Sequence, residues 1–434
     1  MVIHVVQPGE TINSIAEIYG VSSISLIQDN GIINPNNLVI GQTIVIVYPE
    51  QTYIVEEGDS LLSIAEAHGV TIMQLLRNNP FLSDREFIYP GETIVISYNT
   101  SQGKISTNGY AYPFINTDVL RKTLPFLTYL TVFNYRIAAN AEIIGVDDTE
   151  IIQIAKEYGV APIMLLSTMT YQGSGSSAVA LSILKNRELV DQLIDNILNI
   201  LKTKGYYGVN ITFQFLNTET RLIYEDFAIK VTSLLQKEGY QVFITLTPWT
   251  FIDINDYTFE RVDYSVIGQA ANAIMFLSYD WGRSFGPPAA TPSVSRRKEF
   301  YDYAVTLIPP EKIFSGLSII GYDWELPYEI GISKANSLHT DSAITLAVNY
   351  NAIIQFDDMS QAPFFTYAVD LAGNAIQHIV WFKDARSIDS LVNLVPEYGF
   401  KGVGIWNIMQ LFSQMWLVIN SEFEIEKLSP ELFL

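Results

Sequence analysis

The 434-residue chain is long enough for about two or three domains, and its 49% hydrophobic and 16% charged residues exclude a disordered protein. Its 46 acidic residues outnumber its 25 basic residues, and the resulting net charge of −21 argues against binding to nucleic acid or to anionic membranes. The lack of cysteine excludes disulfides, thiolate zinc sites and a cysteine nucleophile. The four histidines show no metal-ligand spacing, so we expect neither a metal nor a cofactor.

The start of the chain shows no pattern of a signal peptide, because a structured repeat begins within its first residues. No apolar run is long enough to span a membrane. We therefore expect a protein that is made in the cytoplasm and is not inserted into a membrane.

The first hundred residues contain a tandem repeat, which predicts a first unit at residues 1–49 and a second unit at 50–98. The matching segments are 5–11 with 54–60, 14–17 with 63–66, and 41–46 with 91–96. Each unit has the pattern strand, helix, helix, strand, with a glycine turn before the first helix. Taken alone, the pattern indicates a repeated structural unit with a small core.

Both units resemble LysM modules, which bind glycans that contain N-acetylglucosamine, such as peptidoglycan and chitin. The resemblance implies that two loops of each unit contact the glycan, namely residues 9–12, 29–32, 58–61 and 78–81. The positions assigned to binding in these loops are Gly9, Asn30, Gly58 and Asn79. Backbone groups are expected to make much of this contact.

Beyond a polar linker at residues 98–106, short apolar segments alternate with helical ones over about 330 residues. Eight such alternations predict an α/β fold, a (β/α)8 TIM barrel at residues 107–434. A small α+β insertion with a hairpin is predicted at about 322–385. The predicted barrel strands are 108–112, 129–135, 162–167, 208–215, 241–246, 273–279, 313–319 and 402–406.

The predicted strand at 208–215 has an unusual polar face. Alternation directs Asn210, Thr212 and Gln214 into the barrel. Burial of three polar side chains is costly unless the interior is wet or holds a ligand. Because barrel enzymes carry their chemistry at the C-terminal ends of the strands, this face indicates a functional site.

The barrel resembles glycoside hydrolases of family 18, in particular the LysM-bearing N-acetylglucosaminidases that degrade the peptidoglycan of the spore cortex. The segments that carry this resemblance are residues 131–136, 279–288, 321–328 and 381–387. In such enzymes the acetamido oxygen of the substrate is the nucleophile, so the usual pair of carboxylates does not apply. The family motif DxxDxDxE supplies a Glu as the general acid and an Asp that orients the acetamido group.

The four motif positions fall here on Tyr207, Asn210, Thr212 and Gln214. Gln214 can form hydrogen bonds but cannot act as a general acid, a role that contributes about 10²–10⁴-fold to the rate. Thr212 is too short and uncharged to replace the Asp. We therefore predict that the barrel binds glycan without cleaving it.

The resemblance implies further contacts around this strand. Tyr279 and Asp280 map to the catalytic subsite, where the Tyr279 hydroxyl contacts the acetamido group, and Trp406 maps to the floor beneath the sugar. The other aromatic residues predicted to bind glycan are Tyr135, Trp249, Trp281, Tyr322 and Trp324. Core packing is the alternative for any one of these rings.

These patterns together predict a protein that binds peptidoglycan or chito-oligosaccharide in the spore coat, the cortex or the cell wall. Without spore association it would be cytoplasmic. One alternative is an active N-acetylglucosaminidase with a displaced acid, for which Glu219 in the loop after the strand is the candidate. The other alternative is a structural spore-coat protein whose barrel packs against its neighbours.

Overall fold

The computed structural model describes residues 1–434 except 86, 170–176, 213–216, 254–255, 278–285, 291–293, 330, 372–373 and 433–434. No helix in this described part of the chain is both long and apolar enough to cross a membrane.

Two small units of the same design begin the chain, each with two antiparallel strands and two short helices. The first unit comprises β1 (Val2–Val5), α1 (Ile12–Tyr19), α2 (Ser23–Asn30) and β2 (Thr43–Ile46). The second unit comprises β3 (Gln51–Ile54), α3 (Leu61–His68), α4 (Ile72–Asn78) and β4 (Thr93–Ser97). A short 3₁₀ turn, Pro80–Asp84, follows α4.

The local sequence explains why the two units fold alike. Helix α1 begins at a capping box, in which the Thr11 side chain accepts the Ser14 amide and the Ser14 hydroxyl accepts the Thr11 amide. Ser60 and Ser63 repeat this arrangement at α3. Helix α1 ends at Gly20 with φ 65°, a left-handed conformation that favours glycine.

Eight parallel strands then close into a barrel, as the alternation of strands and helices predicts. The strands are β5 (Lys104–Ala111), β6 (Tyr129–Ile137), β8 (Ala161–Ser167), β9 (Gly208–Thr212), β10 (Gln241–Leu246), β13 (Ala273–Phe276), β14 (Ile313–Ser318) and β20 (Gly402–Trp406). Each strand pairs with the next in this order, and β20 pairs with β5 to close the barrel. The predicted TIM barrel is therefore confirmed, with one strand in each predicted segment.

The helices surround the barrel and share an apolar layer with the outward faces of the strands. The outer helices are α5 (Thr117–Thr123), α6 (Thr149–Glu157), α7 (Ser177–Leu184), α8 (Arg187–Lys204), α9 (Arg221–Lys237), α10 (Ser265–Ala270), α11 (Val294–Ala304), α13 (Ala385–Val392), α14 (Leu394–Tyr398) and α15 (Ser413–Glu422). Two-residue strands lie at β7 (Ile143–Ile144), antiparallel to β6, and at β21 (Glu424–Ile425), parallel to β5. A second, smaller core fills the barrel itself.

Two antiparallel additions interrupt the barrel. A hairpin of β11 (Trp249–Asp253) and β12 (Asp256–Phe259) follows β10. A five-stranded sheet with one helix lies between β14 and α13. Its elements are β15 (Gly321–Leu326), β16 (Asn336–Leu338), α12 (Thr340–Asn349), β17 (Gln355–Asp357), β18 (Ala362–Leu371) and β19 (Asn374–Trp381), and the hairpin of β18 and β19 matches the predicted one.

Both small units contact the barrel. In the first unit, Val39 shares a core with α12 and β18 of the insertion. Its β2 also contacts α15, where Gln414 Nε2 donates to the Thr43 carbonyl at 2.6 Å. In the second unit, the Asn78 amide oxygen accepts a hydrogen bond from Asn420 of α15 at 2.8 Å. Both small units therefore dock on helix α15.

Candidate functional site

Strand β9 directs Asn210 and Thr212 into the barrel, and both side chains are buried. Asn210 Nδ2 donates to the Tyr110 hydroxyl at 3.0 Å, and Asn210 Oδ1 accepts the Thr245 hydroxyl at 2.7 Å. Tyr110 belongs to β5, on the other side of the barrel from β9, so this amide connects distant strands. Burial raises the pKa of Tyr110 to about 12, which keeps its phenol neutral near neutral pH.

Thr212 lies in a row of hydroxyls across three neighbouring strands. It pairs in register with Ser167 of β8 and with Thr245 of β10. Ser167 donates to Asn134 Oδ1 at 2.7 Å, whereas the buried Thr212 hydroxyl has no hydrogen-bond partner among the described residues. A buried hydroxyl without a partner costs about 1–3 kcal/mol, so a polar ligand atom that reaches it would be stabilised.

At the N-terminal end of the barrel, Ser106 donates to the carboxylate of Glu426. Nearer the C-terminal ends of the strands, seven described polar side chains inside the barrel are uncharged. They come from five adjacent strands and are amides and hydroxyls, which both donate and accept hydrogen bonds. This set comprises Asn108, Thr131, Asn134, Ser167, Asn210, Thr212 and Thr245. Such a lining suits a neutral polar ligand.

Trp406 ends β20 inside the barrel and is 9% exposed. Its ring centroid lies 5.8 Å from that of Tyr110, 5.9 Å from that of Tyr112 and 5.3 Å from that of Phe133. Phe114, an exposed residue, stacks on Tyr112 at 5.1 Å. Trp406 therefore lies inside the barrel at the end of its last strand, within an aromatic cluster, and its role as the floor of a sugar site stays a prediction.

Sequence reasoning missed the aromatic neighbours of Trp406, although a signal for them was present. Alternation along 108–112 directs Asn108, Tyr110 and Tyr112 to one face, as it does for the polar face of β9. Because β5 closes the barrel against β20, this face had to meet Trp406.

Tyr135 does not face the interior of the barrel. The pairing of β6 with β8 shifts register between Val132 and Tyr135, so the alternation of faces changes there. Tyr135 is 1% exposed, belongs to the outer core, and donates its hydroxyl to Asp148, which also accepts from Tyr206 at 2.5 Å. We therefore assign Tyr135 to the core rather than to a glycan groove.

Trp324 of β15 is also a packing residue. Its ring is buried, and its indole nitrogen donates to the Gly286 carbonyl at 2.9 Å. Tyr322, two residues earlier, is half-buried with its ring 5.6 Å from that of Trp324. Only the backbone of Trp249 is described, at the start of β11. The remaining predicted positions, Gln214, Tyr279, Asp280 and Trp281, lie outside the described residues.

Asn30 and Asn79 each stabilise the fold of their own small unit. Asn30 Nδ2 donates to the Leu26 and Val45 carbonyls at 3.0 and 2.8 Å, and its Oδ1 accepts the Val45 amide at 2.6 Å. Asn79 makes the same three bonds in the second unit. Both amides tie a helix to a strand, so a glycan contact in these loops would come from neighbouring groups.

Gly9 and Gly58 occupy equivalent exposed turns, with φ 83° and 90°. No heavy atom lies within 4 Å of a Cβ built on either residue, so both turns are open. Glu219, the candidate for a displaced acid, is exposed in the turn before α9, where its amide donates to Asn217 at 3.0 Å. It does not belong to the polar network inside the barrel.

Comparisons with known proteins bear on the whole chain. The profile of Glycosyl hydrolases family 18 matches residues 169–410, and that of the LysM domain matches residues 4–47 and 53–97. The cortical fragment-lytic enzyme of Bacillus subtilis is 34% identical over 433 residues, which cover 98% of this chain and 99% of that protein. The putative sporulation-specific glycosylase YdhD of Bacillus subtilis is 28% identical over 430 residues, 98% of this chain and 100% of that protein.

Among solved structures, the Bacillus megaterium spore cortex-lytic enzyme SleL superposes with a TM-score of 0.80 at 30% identity, over 98% of this chain and 99% of that one. A chitinase from Chromobacterium violaceum superposes with a TM-score of 0.64 at 21% identity, over 73% of this chain and 98% of that one. The second likeness bears on the fold alone.

Proposed function

Because the chain belongs to glycosyl hydrolase family 18 and carries two LysM domains, we propose that it binds a glycan containing N-acetylglucosamine through both parts. The observation that carries this proposal is the uncharged polar lining of the barrel beside the aromatic cluster of Trp406. Amides and hydroxyls match the hydrogen-bonding groups of a neutral sugar, and an indole face matches its C–H face.

The proposal includes the loss of hydrolysis. The sequence has Thr212 and Gln214 where the family motif has its orienting Asp and its acid. A threonine hydroxyl carries no charge to stabilise the developing oxazolinium-type cation, and an amide has no proton to give near neutral pH. Loss of both functions removes the chemistry and leaves the walls and floor that hold the sugar.

We further propose the peptidoglycan of the spore cortex as the target. Support comes from full-length relatives that are named as cortex-lytic enzymes. The same relationship supports attachment to the spore, which is part of this proposal and which a fluorescent fusion checks. A signal that stays diffuse throughout sporulation would contradict attachment.

One set of assays measures glycan binding and glycan cleavage independently. The purified chain is mixed with cortex fragments or with chito-oligosaccharides, binding is measured calorimetrically, and reducing ends are counted over time. We expect binding with no increase in reducing ends above a heat-denatured control. No detectable affinity for either glycan would refute the proposed function and would favour a purely structural coat protein.

The names of the relatives favour hydrolysis as a second candidate function. In this chain it would require a displaced acid, because Gln214 cannot donate a proton. Release of reducing ends that survives Gln214→Ala but is lost in Glu219→Gln would establish it. Unchanged, negligible release in both variants supports binding alone.

A further inference from the structure

A crevice separates the first unit from the barrel, and its walls belong to different parts of the chain. Asn34 and Asn37 line one wall, in the loop between α2 and β2, and Asp341 and Thr345 of α12 line the other. Gln414, at the start of α15, lies at the base. We call this feature the junction crevice, and it opens to solvent at its mouth.

The two walls are fixed relative to each other by buried hydrogen bonds. Gln414 Nε2 donates to the Thr43 carbonyl at 2.6 Å and to Asn30 Oδ1 at 3.1 Å, and Gln414 Oε1 accepts the Thr43 hydroxyl at 2.9 Å. The Ile354 amide, beyond α12, donates to the Ile40 carbonyl at 3.0 Å. The crevice is therefore formed before any ligand arrives, which lowers the entropy cost of binding.

The first unit packs closely against the insertion at a repeat position that is open in the second unit. Gly41 and Gly91 are equivalent in the repeat and have φ of 88° and 89°. A Cβ on Gly41 would lie 2.8 Å from the Ile354 carbonyl carbon and closer still to its oxygen, whereas a Cβ on Gly91 would have no heavy atom within 4 Å. The same repeat position is thus buried against the insertion in the first unit and open in the second.

The chemistry of the lining combines apolar surface with hydrogen-bonding groups. Ile33, 62% exposed, and Ile344 offer apolar contacts from opposite walls. The side-chain amides of Asn34 and Asn37 make no hydrogen bond to the described residues, and both are exposed. The threonine hydroxyls of the lining already donate to protein oxygens, so these two amides are the free hydrogen-bonding groups that it offers. Apolar patches beside free amides are typical of sites that hold a sugar ring.

The acidic lining of the crevice favours neutral glycans over anionic ones. Its described lining includes two carboxylates, Asp341 and Asp384, and no basic side chain. Arg386 donates to Asp384 at 2.6 Å, so the charge of Asp341 remains without an ion-pair partner in the lining. An anionic sugar would therefore be repelled relative to a neutral one.

The crevice lies at the end of the barrel where the strands terminate. The loop after Trp406, which ends β20, leads directly to Phe412 and Gln414, and both of these line the crevice.

We propose that the junction crevice binds a neutral N-acetylhexosamine oligosaccharide, held by the first unit and the insertion together. This inference rests on the proposed glycan-binding function and adds a site formed by two parts of the chain. It makes the first unit a wall of the barrel's binding surface as well as a module with its own exposed loop.

The test uses the full chain with isotopically labelled isoleucine methyl groups and N-acetylglucosamine tetramer as the probe. We expect the NMR signals of Ile33 and Ile344 to shift together, with one dissociation constant, as the tetramer is added. Ile24 is the internal control, because it lies on α2 of the same unit, is 65% exposed and does not line the crevice.

Paired substitutions test each wall. Asn34→Trp fills the crevice from the first unit, and Asn36→Trp places the same ring on an exposed residue of the same loop outside it. Thr345→Trp and Ser342→Trp form the matching pair on α12. We expect the crevice variants to weaken the binding reported by the two methyl groups about tenfold or more, and the controls to change it less than about twofold.

The outcomes separate this inference from the proposed function. Calorimetric binding without shifts at Ile33 and Ile344 overturns the crevice and leaves glycan binding elsewhere intact. Shifts at Ile33 alone, insensitive to Thr345→Trp, overturn the shared site in favour of the loop of the first unit. The absence of any calorimetric signal refutes the proposed function, and this inference with it.

Discussion

Gly41 and Gly91 are equivalent positions of the repeat, but only Gly41 packs against the insertion. The effect of a substitution at Gly91 therefore serves as the control for the same substitution at Gly41. Replacement of either by alanine puts a side chain at a φ near 90°, which costs about 1–2 kcal/mol. Only Gly41→Ala also drives a methyl group into the Ile354 carbonyl. The insertion must then move, which costs about 1 kcal/mol for the Ile354–Ile40 hydrogen bond and about 1–3 kcal/mol for overpacking.

We therefore expect Gly41→Ala to destabilise the first unit by about 2–4 kcal/mol more than Gly91→Ala destabilises the second. Amide hydrogen exchange measures each effect locally, at β2 for the first variant and at β4 for the second. The excess corresponds to exchange at β2 that is faster by roughly thirtyfold or more. Equal losses of protection in the two variants would refute the docking of the first unit on the insertion, and with it the fixed walls of the junction crevice.

Three further predictions concern the barrel and the seat of the two units. Thr212→Asp combined with Gln214→Glu should raise reducing-end release from chito-oligosaccharides, by up to about 10²–10⁴-fold from the restored acid alone; no gain would argue against a preserved sugar site. Trp406→Ala should weaken glycan binding by about 1–3 kcal/mol in calorimetry. Tyr135→Phe, the control in the outer core, should lower the unfolding temperature and leave the affinity for glycan unchanged. Equal affinities of the two variants would show that Trp406 does not contact the glycan. Burial raises the pKa of Asp29 from 3.8 to about 7, so its ionisation opposes folding as the pH rises through this interval. Asp29→Asn should therefore raise the unfolding temperature at pH 8 and have little effect at pH 4, and an equal rise at both pH values would contradict this linkage.

The barrel could be predicted from the sequence because its strands are apolar runs separated by amphipathic helices. Each of the eight segments contributes a strand, and the inward direction of Asn210 and Thr212 follows from alternation alone. Tyr135 shows where that argument fails. A register shift in β6 changes the alternation of faces between Val132 and Tyr135, and the one-dimensional pattern of 129–135 does not contain it.

The repeated asparagines illustrate a second limit. Asn30 and Asn79 recur at the same position of both units, and such recurrence is expected for a ligand contact and for a structural contact alike. The structure resolves this, because both amides satisfy backbone groups of the neighbouring strand. The different surroundings of Gly41 and Gly91 were equally hidden, since both glycines lie in nearly identical local sequences.

The row of Ser167, Thr212 and Thr245 supports the proposal that the barrel binds glycan without the carboxylates of the family motif. A carboxylate in a buried barrel accepts hydrogen bonds only, and it requires donors or a cation to offset its desolvation. A hydroxyl accepts or donates as the ligand requires, and its burial costs far less. The hydroxyls of Ser167 and Thr245 already donate to asparagine oxygens without a charge nearby, and the Thr212 hydroxyl between them has no partner among the described residues. A neutral sugar entering this row exchanges hydrogen bonds with water for bonds of similar strength, and the apolar surface around Trp406 then supplies the net favourable free energy. In the proposed function, the forces that hold the sugar therefore do not depend on the groups that would have cut it.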